Sequence, residues 1–195
     1  MRRTRNRAVL VGGPPATGKS TLAAALAPRL GAALLDLDVV TGPLTGVVAD
    51  LIGVPDLADP RIARLTRTPR YDTLFALAGD ILRGGLPVVL VAPFTAERSM
   101  DRWSALARRL GTRPALVWLS LPPHLHLERL ARRGAARDAG KLADPDTFLA
   151  GLDRDPPTAP HVLVDAAREP ADQVDLVLAY LAHHGLAIDG RPPAD

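Results

Sequence analysis

Eight consecutive residues, Gly13-Pro14-Pro15-Ala16-Thr17-Gly18-Lys19-Ser20, satisfy the pattern G-x-x-x-x-G-K-[ST] without a gap. No other stretch narrows the folds open to this chain so far. Such a loop works only between a strand that fixes its start and a helix that begins at its end. There, small residues let backbone N–H groups curl around a β-phosphate, and the lysine reaches the β/γ oxygens. The flanks fit. Ala8-Val9-Leu10-Val11 reads as a short buried strand, and Thr21-Leu22-Ala23-Ala24-Ala25-Leu26 opens a helix whose N-terminal dipole favours phosphate. Of 24 basic residues only Lys19 and Lys141 are lysines, so an arginine-rich chain places a compact ammonium where a planar fork would not serve. The loop from Gly13 to Ser20, with Thr21 at the helix start, is therefore the expected nucleoside-triphosphate site, and the Ser20 hydroxyl is placed to ligate Mg²⁺.

Apolar runs and helical periods alternate along the rest of the chain. Leu22, Leu26 and Leu30 repeat every four residues, and Gly31 ends the helix. Ala33 to Asp38 reads as a second strand, Val88–Val91 as a third, Ala115–Leu119 as a fourth and His161–Val164 as a fifth. Tyr71, Leu74, Phe75, Ala78 and Leu82 mark an amphipathic helix stopped at Gly84-Gly85. Further helices are expected around Trp103–Leu110, from Pro123 to Arg133, from Asp144-Pro145, and around Val174–Leu181. Short apolar strands separated by helices predict an α/β fold with a five-stranded parallel sheet covered on both faces. Ligands of such sheets gather at the carboxyl ends of the strands.

At 195 residues, with 47% hydrophobic and 23% charged, the chain is expected to form a single domain over 1–195, its core spanning about 8–184. A net charge of +3 says little about partners, and 4% aromatic residues argues against a surface that stacks single-stranded bases. With no cysteine, disulfides and thiolate metal sites are excluded. The basic start, Met1 to Arg7, leads into an apolar run only a strand long, and no apolar stretch reaches bilayer length; a cytoplasmic location is expected.

Asp36 and Asp38 are the second strong signal. Closing a buried strand two residues apart, they would leave the same face and divide labour, one serving Mg²⁺ and the other accepting a proton from an attacking hydroxyl. A solvated strand end or a helix cap is the other reading of the pair. Arg129, Arg132, Arg133, Arg137 and Lys141 crowd around Gly134-Ala135-Ala136, a segment able to close cations over a γ-phosphate, or else an exposed arginine-decorated helix. Arg61, Arg64, Arg67 and Arg70 recur every third residue; on a helix the outer pair would point oppositely, and Pro60 and Pro69 are expected to interrupt the stretch. His124 and His126 do not share a helical face, which speaks against a histidine metal site.

On the loop, the acid pair and the 125–141 segment, the chain resembles the small P-loop kinases of the nucleoside-monophosphate-kinase type: shikimate and gluconate kinases, chloramphenicol phosphotransferase, zeta toxins and polynucleotide 5′-kinases. The resemblance implies a three-layer fold with strand order 2-3-1-4-5, a lid at about 129–143 and an acceptor-binding region at about 40–75. It implies that Asp38 is the substrate-hydroxyl base and Asp36 the metal-side carboxylate. The R-x-x-x-R pattern puts Arg129 near adenine and Arg133 near the phosphates, with Arg137 as a further contact and Ala166 to Pro170 as the adenine wall. Residues 42–70 match no member of the group, so no acceptor is transferred.

The function expected is a kinase that moves the γ-phosphoryl group of ATP (or GTP), with Mg²⁺, to a hydroxyl of a small molecule, a metabolite or an antibiotic. Lys19, Asp38, Arg133 and Arg137 would be the catalytic set, Arg129 would join the loop in binding nucleotide, and Ser20 and Asp36 would face the metal. A polynucleotide 5′-hydroxyl or a nucleotide sugar is the alternative acceptor. A nucleotide-driven switch acting through a partner is the alternative of another class.

Overall fold

The computed structural model describes residues 8–54, 59–134 and 138–186. Five strands, β1 (Ala8–Gly12), β2 (Ala33–Asp36), β3 (Val88–Val91), β4 (Ala115–Ser120) and β5 (His161–Asp165), form one sheet in the order β2-β3-β1-β4-β5. Every pairing is parallel, with Val9 beside both Val89 and Ala115. Because β1 is central, its apolar residues are buried on both faces, as are those of β3.

Alternation along the strands divides the core in two. Val9, Val11, Val89, Val91, Val117 and Leu119 point to one face, where they meet α1 (Lys19–Arg29) and α8 (Pro170–His183) through Leu22, Leu26, Val177 and Leu181. Leu10, Leu90, Leu116 and Trp118 point to the other, against α3 (Pro60–Arg83) and α4 (Met100–Leu110) through Leu74, Phe75, Trp103 and Leu106. Helix α5 (Pro123–Arg133) follows β4, and the short helices α6 (Ala139–Ala143) and α7 (Pro145–Ala150) lead towards β5. This is the α/β arrangement and strand order expected. No helix among the described residues is long and apolar enough to cross a membrane.

Two expectations change. The second strand ends at Asp36 rather than Asp38, because α2 (Leu37–Leu51) begins at once, with Asp36 as its N-cap accepting from the Asp38 N–H at 2.9 Å. The helix expected from Tyr71 begins a full three turns earlier, at Pro60. Pro60 sits at the helix start, where its missing N–H costs nothing. Pro69 lies inside α3 and does not interrupt it. The lost bond is carried by packing: Leu74, Phe75, Ala78 and Leu82 lie on the sheet, while Ile62 joins Ala49 and Val54 in a small core shared with α2. Tertiary burial here overrides helix propensity.

Candidate active site

The phosphate-binding loop leaves β1 at Gly12, where the backbone runs so close to Trp118 that a Cβ would sit 3.0 Å from its ring. At Gly13 (φ +133) a Cβ would fall 2.5 Å from the Leu119 carbonyl oxygen, so both the left-handed backbone and the close approach to β4 demand glycine. Side chains then tie down the loop's carbonyls. The Pro14 oxygen accepts from Thr17 Oγ1 at 2.9 Å and from Lys19 Nζ at 2.6 Å, and the Pro15 oxygen lies 2.7 Å from His126 Nδ1. Ala16, at φ 60, is one of two described non-glycine residues with positive φ.

Beside the loop, Ser20 Oγ donates to Asp36 Oδ2 at 2.6 Å. Asp36 thus uses one carboxylate oxygen on Ser20 and the other to cap α2. The expected geometry of two carboxylates on one strand face is corrected: Asp36 ends the strand, and Asp38 stands in the first turn of the helix that follows. Asp38 is nevertheless directed into the same cleft as the loop, where Arg70 Nη2 donates to its Oδ1 at 2.5 Å and Arg70 Nε donates to Thr41 Oγ1 at 2.7 Å. As the helical spacing requires, the outer arginines of α3 point apart: Arg61 pairs with Asp59 at 2.9 Å, away from Arg70. Arg67 donates to Thr95 Oγ1 at 2.6 Å and lies over the Tyr71 ring.

On the opposite wall, Arg129 reaches from α5 to two places, donating to the Thr17 carbonyl at 3.4 Å and to the Ala166 carbonyl at 2.6 Å. It therefore spans the phosphate loop and the 166–170 turn, which also lines the cleft. That turn is held by Gln173 Nε2 donating to the Arg168 carbonyl at 2.7 Å and by Ala167 N–H donating to Asp165 Oδ1 at 2.9 Å. Asp165 is thereby occupied in the turn. Arg133 donates through Nε to Asp138 Oδ2 at 2.8 Å, and Lys141 to Asp138 Oδ1 at 2.9 Å. Although burial pushes the Asp138 carboxyl up, the hydrogen bonds from Lys141 and Arg133 outweigh it and hold its pKa below the ordinary carboxylate value. Arg137 lies outside the described residues.

These walls enclose a single cleft of about 1570 Å³ at the carboxyl ends of β1, β2 and β3. A family profile described as an AAA domain matches residues 9–156, which takes in the loop, the acid pair and both arginine-bearing helices. The chain belongs to the AAA domain family. Solved structures with the same fold include three kinases. A gluconokinase from Sinorhizobium meliloti 1021 superposes with a TM-score of 0.61 at 24% identity, over 94% of this chain and 95% of that one. A sugar kinase from Janibacter sp. HTCC2649 gives 0.63 at 17% identity, over 95% and 99%. A shikimate kinase from Aquifex aeolicus gives 0.53 at 18% identity, over 92% and 98%. No curated protein matches the sequence.

Within this AAA domain protein, the donors nearest the loop suit a hard cation. Ser20 and Asp36 offer adjacent oxygens, and no group of three or more His, Asp or Glu able to hold a metal occurs among the described residues. That sparse set fits Mg²⁺, which keeps waters and substrate phosphate oxygens in its shell rather than a full protein cage. Sequence reasoning assigned no role to His126, Asp138 or Glu97, of which the first two brace this AAA domain site. His126 is fully buried against the loop, Asp138 is fully buried between two cations, and Glu97 has a buried carboxyl oxygen without a partner. Only Leu130, one helical turn later on the buried face of α5, could have hinted at the first; the others depend on the folding of loops.

Proposed function

We propose that this protein is a kinase transferring the γ-phosphoryl group of ATP to the hydroxyl of a small-molecule acceptor. The observation that carries the reading is that Asp38 and the Gly13–Ser20 loop open onto one cleft, with Ser20 and Asp36 bonded between them. In this reading Lys19 leaves the Pro14 carbonyl, its partner at 2.6 Å, and takes the β- and γ-phosphate oxygens instead. The backbone of the loop cradles the same polyanion at the start of α1. Ser20 and Asp36 would hold Mg²⁺, which when bound supplies charge neutralisation across the β- and γ-oxygens.

The acceptor lies on the α2–α3 side, in the region of residues 40–75. Asp38 accepts the hydroxyl proton as the acceptor oxygen bonds to the γ-phosphorus. The bond from that phosphorus to the β–γ bridging oxygen breaks, and ADP leaves. Arg70, already bonded to Asp38, orients the carboxylate. Arg133 and Arg137 come from the 129–143 segment to neutralise the charge of the transition state, for which Arg133 must exchange Asp138 for phosphate oxygens. Arg129 spans the loop and the 166–170 turn, and the base stacks against that turn.

The decisive experiment is a screen of hydroxylated metabolites, sugars, amino alcohols and antibiotics for ADP release above the basal rate, with oligonucleotides and nucleotide sugars as separate arms. Acceleration by a small hydroxylated compound, abolished in Asp38→Asn, supports the reading. Slow hydrolysis that no acceptor accelerates overturns it in favour of a nucleotide-driven switch.

A further inference from the structure

The phosphate-binding loop of this chain carries two consecutive prolines, Pro14 and Pro15, which have no N–H groups. Hydrogen bonds that would fix the loop from within are therefore missing at two of its positions. Its shape rests on what its carbonyls meet. Thr17 and Lys19 hold the Pro14 carbonyl, and both belong to the loop itself. The Pro15 carbonyl is held from outside, by His126 at the fourth position of α5.

His126 is fully buried, and its Nδ1 lies 2.7 Å from the Pro15 oxygen. A carbonyl only accepts, so Nδ1 carries a proton and donates it to Pro15, while Nε2 is buried on the far side of the ring. Burial pushes the imidazole pKa down, with Lys19 and Arg129 adding to that and the backbone carbonyls of Pro15 and Leu121 opposing it; the neutral ring with its proton on Nδ1 makes the bond to Pro15.

The next residue supplies the second observation. Ala16 holds φ 60, a left-handed backbone that disfavours a residue with a Cβ. Rotating the peptide plane between Pro15 and Ala16 by half a turn would carry φ of Ala16 into the ordinary negative range. The strain therefore favours a flip, and a contact must oppose it. In a planar trans peptide the C=O and the following N–H point in opposite directions. Holding the Pro15 oxygen against His126 turns the Ala16 N–H away from that ring, and Ala16 itself lines the cleft.

We infer that His126 is a positioning residue of the nucleotide site: its Nδ1–H···O=C bond to Pro15 holds the strained peptide orientation in which the Ala16 N–H, not the Pro15 carbonyl, faces the terminal phosphates. The inference rests on the reading that nucleotide phosphates occupy the Gly13–Ser20 loop. A flipped peptide would set a carbonyl oxygen against phosphate oxygens, replacing an attraction by a repulsion of the most local kind.

The test is titration of ADP and ATP, with Mg²⁺, into the unmodified protein and into Lys19→Ala, His126→Leu, His126→Asn, Ala16→Gly and the His126→Leu/Ala16→Gly pair, with melting temperatures for each. Asparagine places an amide N–H close to where imidazole carries Nδ1–H; leucine fills space without a donor. The expected result is a dissociation constant for ATP raised roughly tenfold or more in His126→Leu, a typical consequence of losing one well-placed bond and gaining a repulsion. His126→Asn should stay within about threefold of the unmodified protein. In the Ala16→Gly background, His126→Leu should cost much less affinity than it does in the unmodified protein, because glycine removes the strain that drives the flip. If the unmodified protein binds nucleotide and His126→Leu binds equally well, the inference fails while the kinase reading stands. If Leu and Asn lose affinity and melting temperature together, and the loss is undiminished in the Ala16→Gly background, His126 is only a packing residue and the inference fails. If the unmodified protein binds no nucleotide, or Lys19→Ala binds as tightly, the reading of the loop falls and the inference with it.

Discussion

Arg70 and Asp38 stand 32 residues apart on different helices, yet Arg70 Nη2 meets Asp38 Oδ1 at 2.5 Å while its Nε grips Thr41 at 2.7 Å. The guanidinium thereby fixes the carboxylate from α3 rather than from its own helix. For a group proposed to take a proton in flight, orientation matters as much as basicity. Asp38→Asn is expected to lower the turnover number by about 10²- to 10⁴-fold while nucleotide affinity stays within about threefold. Steady-state ADP release alongside calorimetric titration of ATP reads both. Unchanged turnover would remove Asp38 from the mechanism.

Arg70→Met keeps an unbranched apolar stem and deletes the fork that bonds Asp38 and Thr41. A misaligned carboxylate is expected to lose about tenfold to a hundredfold in turnover. The comparison that matters is with Arg70→Met in the Asp38→Asn background, which should add nothing further if the two act as a unit.

Asp36 serves two masters, and substitutions can separate them. Asp36→Ala removes the cap of α2 as well as the oxygen bonded to Ser20, and should cost about 1 kcal/mol of stability. Asp36→Asn keeps a capping oxygen, so its stability should remain close to that of the unmodified protein. Both variants should need more Mg²⁺ for half-maximal activity. A Mg²⁺ requirement that does not move in Asp36→Asn would make Asp36 a cap alone.

Asp138 is buried between Arg133 and Lys141 and holds its proton less tightly than an ordinary carboxyl. A carboxyl depressed in the folded state binds fewer protons there than in the unfolded chain just below its usual pKa of 3.8. Its contribution is complete above that pH and vanishes as pH falls through the folded-state value. Asp138→Asn should lower stability by about 2 kcal/mol at pH 7, a figure kept modest because both cations reach solvent. Denaturant titrations at pH 7 and at pH 3 should show the gap between variant and unmodified protein narrowing at the lower pH.

Glu97 has the opposite sign. Burial pushes its carboxyl up, against partial relief from its own backbone and from Arg67 and Arg102. The folded state then binds more protons than the unfolded chain above the usual value of 4.5, so stability falls as pH rises through the interval to the folded pKa. Glu97→Gln should flatten that slope and be more stable at neutral pH by on the order of 1 kcal/mol. A steeper slope in the variant would contradict the assignment.

The strand and loop skeleton was legible because it is written in local pattern. Val88–Val91 and Ala115–Leu119 are continuous apolar runs of strand length, and the glycine-lysine motif fixes what lies between β1 and α1. Helix α2 was not legible: Thr41-Gly42-Pro43 and Gly46 are poor helix formers, and the segment folds as helix because Thr41, Thr45 and Ala49 are buried against α3. Missing α2 also misplaced Asp38 on a strand. Arg61 to Arg70 share a composition, so only the path of α3 separates the one that turns to solvent from the one that meets Asp38. The role of His126 carried no signal beyond its sharing a face with Leu130, since its partner is a backbone carbonyl 111 residues earlier.

The close approach of Trp118 to Gly12 has a practical corollary. The chain contains two tryptophans; Trp103 is packed on α4, whereas the Trp118 indole underlies the start of the loop and borders the cleft. Any rearrangement of the loop on loading with nucleotide changes the surroundings of that ring. Replacing Trp103 by phenylalanine therefore leaves one built-in fluorophore, whose emission follows occupancy of the cradle in real time without a label.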